Sequence, residues 1–227
     1  MLTETQSINA AEAALLAQFP VVVVPPRSAM APLEKNGQRM LLANDGMYIE
    51  VRRDWLYAVR KCGALADGLM TPYGTVQQTT RLPGAIPRQL VEQFIEAARQ
   101  TCPLELGAVI TYDLATRKWA LRMSRSLHAS AAALSYEIPD LGATEQRVVD
   151  IHSHGSGPAF ISSIDKRDTR GATAIVMVVG RLDDDQAEVI AYLYLQGIPF
   201  PIIWKPTDDD REAVLEDGDV PFAFNSR

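Results

Sequence analysis

Cysteine is nearly absent from this sequence. The two present, Cys62 and Cys102, lie far apart and form no CxxC pair. That excludes a disulfide framework and a cysteine-built zinc site. Both thiols are expected to act as small buried hydrophobes. Histidine is also scarce, with three in 227 residues. Any transition metal must therefore rest on a few imidazoles and on carboxylates. Positive charge is in deficit: 22 Lys and Arg stand against 28 Asp and Glu, a formal net charge of -6. Phosphate attraction needs a positive surface, so no direct nucleic-acid partner is expected. Long apolar runs are missing too. FPVVVVPP falls far short of the roughly 20 residues a membrane span needs. The opening MLTETQSINA carries no basic stretch before an apolar core, so a cytoplasmic location is predicted.

What is present is an ordinary globular mixture, 47% hydrophobic and 22% charged, enough to bury the core of one larger domain or two small ones. NAAEAALLAQ, residues 9–18, reads as a short helix stopped by Pro20, and VVVV at 21–24 as a short strand closed by two prolines. MLLANDGMYIEVRR reads as a hairpin turning at Asn44-Asp45-Gly46. Residues 72–87 are turn-rich, and a boundary is placed there. PRQLVEQFIEAARQTC then carries an amphipathic stripe at Leu90, Val91, Phe94, Ile95 and Ala98, with Pro near its first turn. ELGAVITYD, KWALRMS, HASAAALSYEI, RVVDIHSH, TAIVMVVG and AEVIAYLYLQG read as strands. GIPFPIIW reads as an edge segment, where its prolines are tolerated. The predicted division is an N-terminal α+β extension over 1–85, an α/β domain over 86–205 and an acidic tail over 206–227. The aspartate runs at 183–185 and 208–210 are read as solvated turns.

The chemistry concentrates in HSHGSGPAFISSID. Residues i and i+2 of a strand share a face, so His152 and His154 can share a cation or simply sit as surface or capping histidines. Seven residues separate His154 from Ser162, and Asp165 follows three later. Ser162 and Asp165 fit the N-cap and N3 positions of a helix. They can also bring Asp165 back toward the imidazoles as a third ligand, and the two readings are compatible. Two His and one Asp leave a fourth position for water, as catalytic zinc sites do. Metallo-β-lactamase-like sites need HxHxDH and zinc deaminases need HxE with CxxC; neither pattern is here.

HxH, seven residues, Ser, two residues, Asp is the motif of the JAMM (MPN+/JAB) metalloproteases, and the sequence resembles that family over residues 87–205. The family also uses an upstream glutamate in a Pro-x-Glu context. Cys102-Pro-Leu-Glu105-Leu-Gly-Ala-Val-Ile matches it. The resemblance implies a JAMM (MPN, cytidine-deaminase-like) α/β fold, a mixed sheet flanked by helices. It implies one zinc ion held by His152, His154 and Asp165, with Glu105 as general base and acid and Ser162 as hydroxyl donor to an oxyanion. The implied activity is hydrolysis of a peptide or isopeptide bond, with a ubiquitin-like protein as substrate; some members of the fold are catalytically silent scaffolds. Gly155 stands where many members carry proline, which predicts a looser loop. The sequence is most similar to bacterial members from the PRTRC cassettes of plasmids and mobile elements, in the manner of their protein A. Those cassettes imply a ThiF-type, activating-enzyme-like partner. Asp150 is a candidate partner for a ligand imidazole, Glu137 and Glu145 are rival bases, and His128 is read as a satisfied histidine.

Overall fold

The computed structural model describes residues 9–129, 134–137, 139–206 and 213–217. The chain divides into two compact units, Met1–Leu82 and Pro83–Arg227.

The first unit is one helix and a five-stranded sheet in the order β1-β2-β3-β4-β5. Helix α1 (Ala10–Gln18) starts where Asn9 caps the Glu12 amide and Glu12 reciprocates to the Asn9 amide. The strands are β1 (Val21–Val23), β2 (Gly37–Ala43), β3 (Gly46–Arg53), β4 (Leu56–Ala64) and β5 (Thr79–Arg81). The β2–β3 hairpin turns at the Asn-Asp-Gly site, with Ala43 opposite Gly46. Gly46 is needed there: a Cβ would lie 2.2 Å from the Gly63 carbonyl oxygen, where β4 crosses. Strand β4 is an addition to the sequence reading. Arg60 and Lys61 obscure its alternation, yet Leu56, Ala58, Val59 and Arg60 are all buried. Val24, Leu41, Ala43, Tyr48 and Val59 form a core cluster in this sheet.

The second unit is built on a seven-stranded sheet, β14-β13-β12-β11-β10-β6-β7. Helix α2 (Arg88–Thr101) buries Val91, Phe94 and Ala98, the centre of the expected stripe. Removing the Phe94 side chain from water contributes about 1.5–3 kcal/mol. Strands β6 (Gly107–Asp113), β7 (Lys118–Met123), β10 (Glu145–Ser153), β11 (Ala174–Gly180), β12 (Glu188–Leu195), β13 (Ile198–Pro206) and β14 (Ala213–Asp217) complete the sheet. Every residue of β11 is buried, as expected for a strand covered on both faces. A single parallel pair, β10–β11, interrupts the antiparallel order. Its connection carries helix α3 (Ser163–Asp168). The architecture is a mixed α/β sheet with few helices, as expected. No helix among the described residues is long and apolar enough to cross a membrane.

Three local expectations need correction. HASAAALSYEI is not one strand; β8 (Arg125–Ala129) and β9 (Leu134–Glu137) pair with each other in a separate two-stranded sheet. Strand β13 is not an edge, because β14 pairs along it. Pro199 and Pro201 are tolerated for a different reason: the β14 register begins only at Ile202, so their missing N–H groups fall before it. The acidic 206–227 segment is therefore not wholly a tail, since Ala213–Asp217 is a strand of the sheet. The two cysteines are half-buried rather than core residues.

Candidate metal centre

The centre sits at the C-terminal end of β10, where a parallel neighbour on one side meets an antiparallel neighbour on the other. His152 is opposite Val178 of β11 and Gly107 of β6. Chain reversals at such a point leave a crevice beyond the strand ends. The pleat puts both imidazoles on one face, with ring centroids 5.2 Å apart. Beyond the strand, the His154 amide still donates to the Val179 carbonyl at 2.8 Å, which extends the ladder to the second histidine.

Residues 155–161 fold back over the strand ends and are held by backbone bonds. The Arg181 amide donates to the Gly157 carbonyl at 2.7 Å and the Leu182 amide to that of Gly155 at 3.1 Å. The Ala159 amide donates to Glu188 Oε2 at 3.0 Å. Gly180 lets this return pass close: a Cβ there would lie 2.4 Å from the Ala159 nitrogen. Gly155 has φ +55°, a value closed to proline. Its absent side chain also admits the Pro103 carbonyl, which a Cβ would meet at 2.7 Å. The expectation that glycine loosens this loop is thus reversed, because only glycine permits the close approach.

The return delivers Ser162 and Asp165 as a capping box. Ser162 Oγ accepts the Asp165 amide at 3.2 Å, and Asp165 Oδ2 accepts the Ser162 amide at 2.7 Å. The other oxygen, Oδ1, lies 3.4 Å from His152 Nε2. Capping therefore uses one oxygen of the carboxylate and leaves the other facing His152. Donor atoms of His152, His154 and Asp165 all lie within 4.8 Å of one another. Two donors on one tetrahedral zinc, at roughly 2.0–2.1 Å, would be separated by about 3.3 Å. The His152–Asp165 spacing meets that requirement. His154 Nδ1 lies 3.3 Å from the Pro158 carbonyl, so an Nδ1 proton donated there leaves Nε2 free for a metal.

The electrostatics suit a cation. Burial, then the neighbouring His152, lowers the His154 pKa and keeps that ring neutral. Burial raises the Asp165 pKa, but the hydrogen bond and charge of His152, with the bonds to Ser162, hold it well below the usual carboxylate range. A neutral imidazole and an ionised carboxylate are the ligand forms zinc takes.

Glu105 is buried at 9% exposure, just before β6. Burial raises its pKa, His152 opposes that rise and Asp165 adds to it. It therefore feels the charges of two of the three candidate ligands. The rival groups lie elsewhere. Glu145, at the start of β10, is bound by Arg122, Thr111 and the Gly142 amide. Glu137 lies exposed on β9. Asp150 shares the His152 face, but its carboxylate pairs with Arg147 rather than with an imidazole. His128 lies in β8, and its side chain is outside the described residues. In the 183–185 run, the Asp184 and Asp185 carbonyls accept the Arg99 guanidinium, which makes this a structural turn; residues 208–210 are outside the described residues. Phe160, 51% exposed, sets its ring edge-on to His154 at 4.6 Å. The sequence reading noted this phenylalanine only as a mark of the bacterial members and gave it no place in the site, although it is the one aromatic in the return.

Residues 87–193 match a family model described as prokaryotic homologs of the JAB domain. That match supports the JAB family, and the mixed sheet is consistent with a JAB/MPN-like α/β fold. Residues 9–83 match a second model, a domain of unknown function (DUF2016). The chain is also similar to the solution structure of protein DSY2949 from Desulfitobacterium hafniense. Identity is 15% and the TM-score 0.37, over 57% of this chain and 87% of that one. No curated protein matches.

Proposed function

We propose that this chain is a zinc-dependent metallopeptidase that hydrolyses a peptide or isopeptide bond. The observation that carries the proposal is the convergence of His152, His154 and Asp165 within 4.8 Å, beside a buried carboxylate at Glu105. A zinc ion on these three ligands would act as a Lewis acid and lower the pKa of a water in its open position toward about 7. Glu105 accepts the proton of the attacking water and returns it to the leaving amine. A carboxylate with a raised pKa suits both directions of transfer near neutral pH. Ser162 Oγ accepts the Asp165 amide, and its hydroxyl, which also bonds the Asp165 carboxylate, is the donor this reading assigns to the oxyanion of the tetrahedral intermediate. The capping box thus serves the chemistry as well as the helix.

The substrate in this proposal is the C-terminal tail of a ubiquitin-like protein. The setting is a PRTRC-type cassette with a ThiF-type, activating-enzyme-like partner, and the location is the bacterial cytoplasm. The support is the motif and its spacing, and the match of 87–193 to the prokaryotic JAB homologs. The test uses the purified full chain, assayed for metal content and for cleavage of a ubiquitin-like protein carrying a C-terminal extension. Stoichiometric zinc with cleavage that Glu105→Gln abolishes supports the proposal. Absence of bound zinc, or cleavage indifferent to Glu105→Gln, overturns it. Zinc without any cleavage points instead to a scaffold of the same fold.

A further inference from the structure

Ser153 lies between the two histidines, points to the opposite face of β10 and is fully buried. The antiparallel register of β10 with β6 ends at His152 and Gly107. One residue further, the ladder is finished by Ser153 alone. Its amide donates to the Leu106 carbonyl at 2.9 Å, and its hydroxyl accepts the Leu106 amide at 2.9 Å. Leu106 is thus held at both its donor and its acceptor by one residue, and Leu106 directly follows Glu105. Just upstream, Gly155 admits the Pro103 carbonyl, and Cys102 Sγ lies 3.5 Å from Ser156 Oγ. Residues 153–156 therefore grip 102–106 along their length, and Glu105 sits inside the gripped segment.

We propose that Ser153 is the positioning residue for Glu105: its buried hydroxyl closes the ladder on the Leu106 amide and so fixes where the Glu105 carboxylate stands relative to His152 and Asp165. At this point the Leu106 amide is taken by the Ser153 side chain, while the Ser153 amide bonds the Leu106 carbonyl in the ordinary way. A hydroxyl is short enough to substitute for a main-chain acceptor. The residue between the two histidines then couples the ligand strand to the base strand, so both halves of the centre move as one. The proposal uses the metallopeptidase reading for its kinetic arm and geometry alone for the rest.

The test compares Ser153→Ala, Ser153→Thr and Ser153→Cys with the wild-type full chain. Zinc content is expected to stay at wild-type level in all three, since no ligand is changed. In the cobalt(II)-loaded chain, paramagnetic relaxation of the Glu105 carboxyl carbon reports its distance from the metal. Ser153→Ala should weaken that relaxation and speed Leu106 amide exchange, and Ser153→Thr should restore both. With the extended ubiquitin-like probe, kcat should fall roughly 10- to 100-fold in Ser153→Ala with KM unchanged, the scale expected for a misplaced catalytic group. If Ser153→Ala does not fold, Ser153→Cys decides, because a thiol is near in size but a weak acceptor. Wild-type relaxation in both the Ala and Cys variants overturns the proposal. If the wild-type chain cleaves nothing, the metallopeptidase reading fails, and the relaxation measurement still decides the role of Ser153.

Discussion

Each unit of this molecule buries a glutamate, and the two are treated in opposite ways. Glu50, on β3 of the first unit, is 1% exposed. It accepts from Arg39 Nε, from the Tyr57 hydroxyl at 2.9 Å and from the Leu33 amide at 2.8 Å. Arg39 also donates to the Ala31 carbonyl. This carboxylate is saturated, and it pins the segment around Ala31–Leu33 to the sheet. Glu105 is nearly as buried, yet its electrostatic neighbours are a histidine and an aspartate that form a candidate metal site. The difference teaches how to tell a structural acid from a chemical one. A carboxylate held by a guanidinium, a phenol hydroxyl and an amide is committed to the fold, while one that burial and a neighbouring carboxylate push upward is a candidate for proton transfer.

The largest expected effect breaks the pair at Glu105. Glu105→Gln should cut kcat by roughly 10²- to 10⁴-fold while leaving zinc content intact. The same change should raise the thermal stability of the metal-free chain. The sign follows from the raised pKa of Glu105: ionising it in the fold opposes folding, and Gln removes that penalty. Melting curves should show the gain at pH 7, and it should vanish as pH falls below the ordinary glutamate pKa of about 4.3. Loss of stability on this change would place Glu105 with the structural acids.

Glu50→Gln should act in the reverse sense. Removing one partner of a buried ion pair costs about 3–5 kcal/mol, read by chemical denaturation, with zinc content unchanged in the folded fraction. A variant as stable as the wild type would show that the first unit does not depend on this pin. Gly155→Ala should be smaller, about 1–2 kcal/mol from the positive φ alone. Displacement of Pro103 should also lower kcat, because Glu105 lies two residues further on. The smallest effect belongs to an exposed carboxylate. Lys61 bonds Asp45 at 2.7 Å, with Asp45 exposed and Lys61 partly so; Lys61→Gln should cost under about 1 kcal/mol and less in high salt.

Local order was legible in the residues. The short first helix, the Asn-Asp-Gly hairpin, the α2 stripe and the Ser162–Asp165 box depend on neighbours within a few positions, and each forms as read. The His152, His154 and Asp165 spacing belongs with them, since a strand period and one helical turn fix it. What the residues could not show is which distant segments lie alongside. Strand β4, with charged residues in its alternation, is buried because β3 and β5 flank it. The Ala213–Asp217 strand exists as such because β13 offers it a ladder. Glu145 and Asp150 were open candidates until Arg122 and Arg147 were found beside them. Glu50 drew no attention at all, because Arg39, Tyr57 and Leu33 converge on it only across strands and a loop.

The sequence by itself determined the spacing of the candidate ligands, the caps and the periodicities, because hydrogen bonding within a turn and side-chain alternation along a strand are properties of adjacent residues. The tertiary structure decided which buried carboxylate feels the charges of the candidate ligands, why residue 155 must be glycine and what Ser153 holds. Those depend on the antiparallel register of β6 against β10, which is set by the joint burial of residues some forty positions apart and is written in neither segment alone.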